Sequence, residues 1–282
     1  MKISVSSYSF ASLVNSNKLD IFGVMDEAVR MGFEGLELDD SDDVMNPEAF
    51  ARIREYSKAA GLPVIGLDIG ADFTKNDLKS LDEEVERVKK ILEMATILEV
   101  PRMRHDVCYG NFNSEDITFE EALKVMAEGC FRVADYAKTL GIKTMFENHG
   151  FYMQDDLRVK KLMDAVDHDN FGLLIDVGNF MCTDTDPVEA TRNLAPYVSH
   201  VHAKDFHFKN SCEPFPGDGW FETSNGNFLR GAIIGHGDAR THESIKILKD
   251  SGYDGYVTLE FEGIEDNIKG ISLGLDNLRK YI

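Results

Sequence analysis

The chain has 282 residues, 43% of them hydrophobic, and its 50 acidic against 30 basic side chains leave a formal charge of −20. That length holds either one closed barrel or two average domains, and the charge sets up a field that repels nucleic acid and anionic membranes but admits a small neutral substrate such as a sugar. No run approaches the roughly 18 consecutive apolar residues of a membrane span, MKISVSSYSF lacks the apolar core and cleavage site of a signal peptide, and Cys108, Cys130, Cys182 and Cys212 form no CxxC pair, so a cytoplasmic protein with reduced, mostly buried thiols is expected.

Short β-rich runs alternate with helical spacing from end to end. Ile3–Ser6 reads as a first strand, and Asp20–Met31 follows with Ile21, Val24, Met25, Ala28 and Val29 on one helical face. Strands are expected at Gly35–Leu38, Val64–Asp68 and Arg102–Asp106, with a helix over Leu81–Leu98 carried by Val85, Val88, Ile91, Leu92, Ala95 and Leu98. A helix over Phe119–Leu140 leads to strands Lys143–Glu147 and Gly172–Asp176. A helix over Asp186–Ala195 leads to strand Val198–His202, and strand Tyr256–Glu260 precedes a closing helix over Ile268–Leu278. Four joints, in MGFEGLEL, AGLPVIGL, LGIKTMFE and SGYDGYVTLE, place a glycine just after a helix, where the left-handed conformation ends it. Eight strand–helix units are too many for a small doubly wound sheet and suit a closed (β/α)8 barrel, taken as one α/β domain over residues 1–282. Phe206–Ala239, polar and rich in Gly and Pro, breaks the rhythm as a long loop after the seventh strand, and a loop of that length is usually functional or mobile.

Four residues stand at the C-terminal ends of apolar runs: Glu147 in KTMFENHG, Asp176 in FGLLIDVGN, His202 in VSHVHAKD and Glu260 in GYVTLEFEG. A parallel barrel gathers such residues at one mouth. Three carboxylates with one imidazole suit a divalent ion: Mn²⁺ first, with Mg²⁺, Co²⁺ or Zn²⁺ as alternatives. Taken singly, Glu147 is equally a solvated loop acid and Asp176 a turn or N-cap aspartate. SHVHAKD is more specific, because strand alternation puts His200, His202 and Lys204 on one face. His200 lies a layer deeper and is expected to support the site through a hydrogen bond, and Glu262 is expected at the rim beside Glu260.

With FENHG, IDVGN, HVHAKD, GHGD (Gly235 to Asp238) and GYDGYVTLEFE in view, the chain resembles the xylose isomerase-like TIM barrels, in particular their sugar (phosphate) isomerase/epimerase branch. The resemblance spans the whole chain and is sharpest from Lys143 to Glu262. It implies that Glu147, Asp176, His202 and Glu260 bind one divalent metal, with Glu147 and Glu260 also serving as acid and base. Lewis-acid stabilisation of an enediolate and proton transfer between two carboxylates are the matching chemistry. Lys204 would neutralise a developing oxyanion and His149 would hydrogen-bond a sugar hydroxyl. His105, His236 and Trp220 complete the expected substrate contacts. Trp220 would either stack on a sugar ring or pack its loop, and His105 and its neighbour Arg104 cannot both point inward. The loops Asp39–Asn46, Gly70–Lys79, Asp106–Thr118 and Phe206–Ala239 would set specificity. A dimer or tetramer is the habit of this family, although no separable oligomerisation element stands out here.

The chain departs from the ketose 3-epimerase pattern at three places: Asn179 where a histidine is usual, Phe208 in place of an arginine, and His236 within the G-x-G motif. The expected activity is therefore a metal-dependent isomerase or epimerase acting on a keto-sugar or related polyol ketone. A lyase or dehydratase acting on an inosose or an oxidised glycoside is the first alternative. A non-catalytic sugar-binding or partner subunit is the second. An AP-endonuclease role needs further His and Asp ligands and a basic surface, and Asn179 and the charge of −20 both stand against it.

Overall fold

The computed structural model describes residues 1–41, 44–74, 78–109 and 117–282; parts of three rim loops singled out above, residues 42–43, 75–77 and 110–116, lie outside the described residues. The elements follow in chain order as β1 (Lys2–Ser6), α1 (Ala11–Asn15), α2 (Ile21–Met31), β2 (Leu36–Asp39), α3 (Pro47–Ala60), β3 (Val64–Ile69), α4 (Leu78–Leu98), β4 (Arg102–His105), α5 (Phe119–Thr139), β5 (Lys143–Glu147), α6 (Asp156–Val166), β6 (Phe171–Asp176), α7 (Pro187–Leu194) and β7 (Val198–Ala203). Three short strands, β8 (Asp205–Lys209), β9 (Phe221–Glu222) and β10 (Phe228–Ala232), precede α8 (Thr241–Asp250), β11 (Tyr256–Leu259) and α9 (Asn267–Tyr281). The strands β1, β2, β3, β4, β5, β6, β7 and β11 close into a parallel barrel, each bonded to its neighbours in that order and β11 to β1.

Local chemistry fixes the helix ends. Asp20 caps α2 by accepting the Gly23 N–H, and Thr118 and Glu121 form a reciprocal capping box at α5. Gly32 and Gly61, at φ +84° and +68°, close α2 and α3 in the left-handed conformation. Alternation then sorts each strand. Val5, Leu36, Leu67, Met103, Phe146, Leu173, Val201 and Val257 are buried and belong to the main apolar core, as a layer between barrel and helices requires. The opposite phase, facing the lumen, is largely polar: Ser4, Glu37, Asp68, Arg104, His200, His202 and Thr258 are all buried.

The segment expected as an irregular loop after β7 carries its own antiparallel sheet, in the order β8-β10-β9. Phe206 and Leu229 pack there with Met181, Cys182 and Ala239 in a small second core. A core of this kind gives a 34-residue-scale excursion a defined shape without burying loop backbone unpaired. Cys108, Cys130 and Cys182 are buried and Cys212 is exposed, all as free thiols, and no helix among the described residues is long and apolar enough to cross a membrane.

Candidate metal centre

Glu147 and Asp176 are the last residues of β5 and β6, His202 is the penultimate residue of β7, and Glu260 directly follows β11. These are four consecutive neighbours around the barrel. Each contributes one donor atom to a cluster whose members all lie within 4.8 Å of one another. All four side chains are buried. Asp176 pairs in register with His202, and His202 with Thr258, which brings the next turn of chain, at Glu260, to the same level.

Each carboxylate is aimed by its surroundings. Asp176 Oδ1 accepts the N–H groups of Gly178 (2.8 Å) and Asn179 (3.0 Å), which turns Oδ2 toward the cluster. The Asn148 amide braces the same strand end, donating to the Asp176 carbonyl (2.9 Å) and accepting the Asp176 N–H (2.8 Å). Glu147 receives the Arg104 guanidinium at Oε2 and the Asn179 amide at Oε1 (3.2 Å). Arg104 also meets Asp106 at 3.3 Å, and Asp106 in turn holds His149 at 3.2 Å. Lys204 lies 2.6 Å from Glu260, 3.3 Å from Glu262 and 3.5 Å from Asp176, and donates to Asn179 Oδ1 at 3.3 Å. Asn179, the departure noted in the sequence, thus bridges Glu147 and Lys204.

The electrostatics follow from burial set against these pairings. Burial pushes Glu147 up, but the Arg104 and His202 charges outweigh it and hold the carboxyl well below its usual range. Burial likewise opposes ionisation of Glu260, yet Lys204 and His202 bring it down to about 2. Asp176 goes the other way: burial, helped by the charges of Glu147 and Glu260, outweighs Lys204 and raises it to about 7. For His202, burial favours the neutral ring, but the charges of Glu37 and Glu260 prevail and raise it well above the ordinary histidine value.

Among the described residues, Asp176 Oδ2 and His202 Nδ1 are buried and make no hydrogen bond. Buried polar atoms are ordinarily paired, so two that lack a hydrogen bond within one cluster, Asp176 Oδ2 with only Lys204 at 3.5 Å, flanked by two ionised glutamates, fit a divalent cation. Oxygen-rich donors with one imidazole match the hard-to-borderline ions of that class.

The remaining expected residues divide. Lys204 and His149 lie in the network just described. Trp220 is half-buried in the excursion beneath Arg230, whose guanidinium carbon stands 5.6 Å from the ring centroid. His105 does not face the lumen. It lies on the outer phase of β4, buried against Phe73 and Phe171, with Nδ1 bonded to the Asp106 carbonyl at 2.8 Å; Arg104 takes the inward position instead. His236 is exposed and belongs to a turn wrapped around Asp205. That carboxylate accepts the backbone N–H groups of Gly235 (2.8 Å), Gly237 (3.1 Å) and Ala239 (3.0 Å). GHGD is thus a structural cradle around Asp205, and at Gly235 it packs against Asn277 and Tyr281 of α9.

Sequence reasoning passed over Glu37, Asp39 and Asp68. They sit on the inward phase of β2 and β3, in GLELDD and VIGLDIG. For Glu37 and Asp39 the signal was the one that exposed His200 and His202, charged residues two apart within an otherwise apolar strand; Asp68 is a single acid within an apolar strand.

A family profile described as xylose isomerase-like TIM barrel matches residues 25–281. The inosose dehydratase of Clostridium perfringens (strain 13 / Type A) is 30% identical over 158 residues, which cover 54% of this chain and 51% of that protein, so the chain spans about half the length of the curated relatives it matches. Two solved structures share the fold throughout. An IolI protein with a binding zinc atom superposes with a TM-score of 0.77 at 18% identity, covering 100% of this chain and 99% of that one. The 3-keto-D-glucoside 4-epimerase of E. coli does so with a TM-score of 0.76 at 16% identity, covering 99% of both chains. With its closed barrel and a profile match across nearly the whole length, the chain belongs to the xylose isomerase-like TIM-barrel family.

Proposed function

We propose that this chain, as one domain over residues 1–282, is a divalent-metal-dependent isomerase or epimerase that moves a carbon-bound proton next to the carbonyl of a keto-sugar or related polyol ketone. The observation that carries the reading is the convergence of Glu147, Asp176, His202 and Glu260 within 4.8 Å, with Asp176 Oδ2 and His202 Nδ1 left orphaned. These four residues would hold the ion, Mn²⁺ by preference. The ion would supply Lewis-acid stabilisation of negative charge on adjacent substrate oxygens.

The protein's own part is proton traffic. Arg104 keeps Glu147 ionised and fixed, as a base requires. Lys204, 2.6 Å from the ionised Glu260, is placed to pass a proton through that carboxylate to the opposite face of the same carbon, and solvent would carry the proton taken by Glu147 back to Lys204. Proton removed by one glutamate and returned by the other inverts that centre, with no net change in composition. His149 and Trp220 would bind substrate hydroxyls and ring at the rim. The acidic composition fits a small carbohydrate ligand, with neither nucleic acid nor membrane as partner, in a cytoplasmic setting.

A second reading, a lyase, is favoured by the inosose dehydratase similarity. The first proton leaves in the same way. The neighbouring hydroxyl then departs as water, with a proton supplied from the Lys204–Glu260 pair.

The protein loaded with Mn²⁺ is incubated in D₂O with a panel of ketoses, inososes and keto-glycosides. Deuterium is expected at the carbon next to the carbonyl of one member, and Glu147→Gln and Glu260→Gln should abolish its uptake. Retained mass apart from deuterium marks the isomerase, and loss of water or of an aglycone marks the lyase. A metal-loaded wild type that binds a panel sugar yet exchanges no proton would leave only the sugar-binding subunit standing.

A further inference from the structure

Below the proposed metal centre, and resting on that reading, the barrel lumen holds a second layer of hydrogen bonds that the proposed proton chemistry does not use. His200 and His202 stand two residues apart on β7 and face the same way. Glu37 reaches them from β2, which is not a neighbour of β7, so the contact crosses the lumen. Its Oε2 lies 3.0 Å from His200 Nε2 and 2.9 Å from His202 Nε2. His200 Nε2 is also 2.9 Å from Thr258 Oγ1, which meets Ser4 Oγ at 2.8 Å. On the other side of the ring, His200 Nδ1 is 2.9 Å from Arg102 Nη1. Glu37, His200, His202, Thr258 and Ser4 are buried.

The donor inventory settles where the protons sit. A guanidinium has donors and no acceptor, so His200 Nδ1 must accept from Arg102. The single ring proton of neutral His200 is therefore on Nε2, which donates to Glu37. The ionised Glu37 carboxylate only accepts, so His202 Nε2 must also carry a hydrogen. A histidine with its hydrogen on Nε2 presents Nδ1 as its ligand atom, and His202 Nδ1 is the orphan that faces Glu147 (3.6 Å) and Glu260 (3.8 Å).

We propose that Arg102, His200 and Glu37 form a positioning relay across the barrel lumen that fixes His202 with Nε2 protonated and Nδ1 offered to the metal. A carboxylate partner on the far nitrogen fixes the ring and raises ligand basicity, and loss of such partners typically costs about 10- to 100-fold in metal affinity. The relay begins at Arg102, the first residue of β4 and two positions below Arg104. Arg102 orders the site's imidazole from beneath while Arg104 orders Glu147 from the side.

The full-length protein labelled with ¹⁵N-histidine is loaded with Zn²⁺, a diamagnetic probe, and long-range ¹H–¹⁵N spectra are recorded beside Mn²⁺ titrations. In wild type, His200 and His202 are both expected with hydrogen on Nε2, and His202 with Nδ1 shifted by the metal. Glu37→Gln should weaken Mn²⁺ binding by about 10-fold or more, and Glu37→Asp should recover part of that loss. Arg102→Met, which leaves the carboxylate in place, should move the His200 hydrogen to Nδ1 in some or all molecules and weaken Mn²⁺ binding by a smaller factor. The relay is overturned if wild-type His200 carries its hydrogen on Nδ1, if His202 binds through Nε2, or if folded Glu37→Gln binds Mn²⁺ as tightly as wild type. Should Glu37→Gln fail to fold, the wild-type spectra and Arg102→Met decide. Failure of wild type to bind any metal strikes the metal-centre reading instead, while the His200 pattern in metal-free protein still tests the lower half of the relay.

Discussion

Lys204 is the residue on which the balance of charge at the mouth turns. It is buried, and within 3.5 Å it meets Glu260, Glu262 and Asp176. Removing one member of a buried pair leaves the other charge uncompensated, at a cost of about 3–5 kcal/mol. Lys204→Met should therefore lower the denaturant midpoint strongly when metal is chelated. A bound dication neutralises two of the same three carboxylates, so saturating Mn²⁺ should restore part of the loss. Urea unfolding of wild type and variant, each with EDTA and with Mn²⁺, measures the difference. An equal deficit under both conditions would mean that Lys204 and the ion do not share those carboxylates. Arg104 offers a contrast at the same scale. It serves Glu147 through a guanidinium that is also held by Asp106, so its task is orientation as much as neutralisation.

At the scale of elements, strands and glycine-ended helices were legible because their signals are local. Alternation over four to six residues and a glycine after an apolar helical stripe need no knowledge of the rest of the chain. The convergence of Glu147, Asp176, His202 and Glu260 was legible for the same reason: each stands at or next to the C-terminal end of its own strand. What failed was the choice between inside and outside. Arg104 and His105 are adjacent, and only the phase of β4 against β5, with Arg104 level with Met145, decides which enters the lumen. His236 lies on a turn whose partner, Asp205, is thirty residues earlier, so its outward position is a property of tertiary structure. The small sheet of β8, β10 and β9 escaped notice because the β8–β10 pairing is non-local, although the alternation in DFHFK and the local β9–β10 pairing across TSNGN were there to be read. This sheet meets the loop after β11 through the Arg230–Glu265 pair and through a tight backbone contact at Gly231. A Cβ on Gly231 in β10 would stand 2.3 Å from the Glu262 carbonyl oxygen and 3.0 Å from the Gly263 nitrogen. Backbone cannot retreat as a side-chain tip can, so Gly231→Ala should separate the excursion from the loop after β11 and cost about 1–3 kcal/mol, the range for overpacking. Because that loop carries Glu262 to Lys204, the variant should also raise KM more than it lowers kcat. Unchanged stability and kinetics would show that the contact relaxes freely and does not shape the rim.

For the whole molecule, the proposed ion would tie together one contiguous half of the barrel. Its ligands come from β5, β6, β7 and the end of β11, while β2 supports them from across the lumen through Glu37 and β4 supports Glu147 from the adjacent strand through Arg104. An ion that binds only the folded arrangement stabilises it by about 2.7 kcal/mol at 100 times its Kd. For a chain of this size that corresponds to a rise in Tm of roughly 5 °C. The pH dependence has a definite sign. Asp176 is raised to about 7 and His202 well above its ordinary value, so the metal-free folded state holds protons that the unfolded chain has released. The contribution of Asp176 is full below the unfolded carboxylate range and is lost as pH rises through about 7; that of His202 is full below about 6.5 and is lost at its own higher folded value. Metal-free protein should therefore lose stability on going from pH 6 to 8. A metal ligand must give up its proton, so the metal-bound protein escapes that loss, and the stability gap between the two widens by about 1.4 kcal/mol per pH unit for each proton displaced. Thermal unfolding at pH 6, 7 and 8, with EDTA or Mn²⁺, reads the gap directly, and calorimetry in two buffers of different ionisation enthalpy counts the protons released. A gap that narrows with pH, or binding without proton release, would place the ion somewhere other than among Asp176, His202 and the two glutamates.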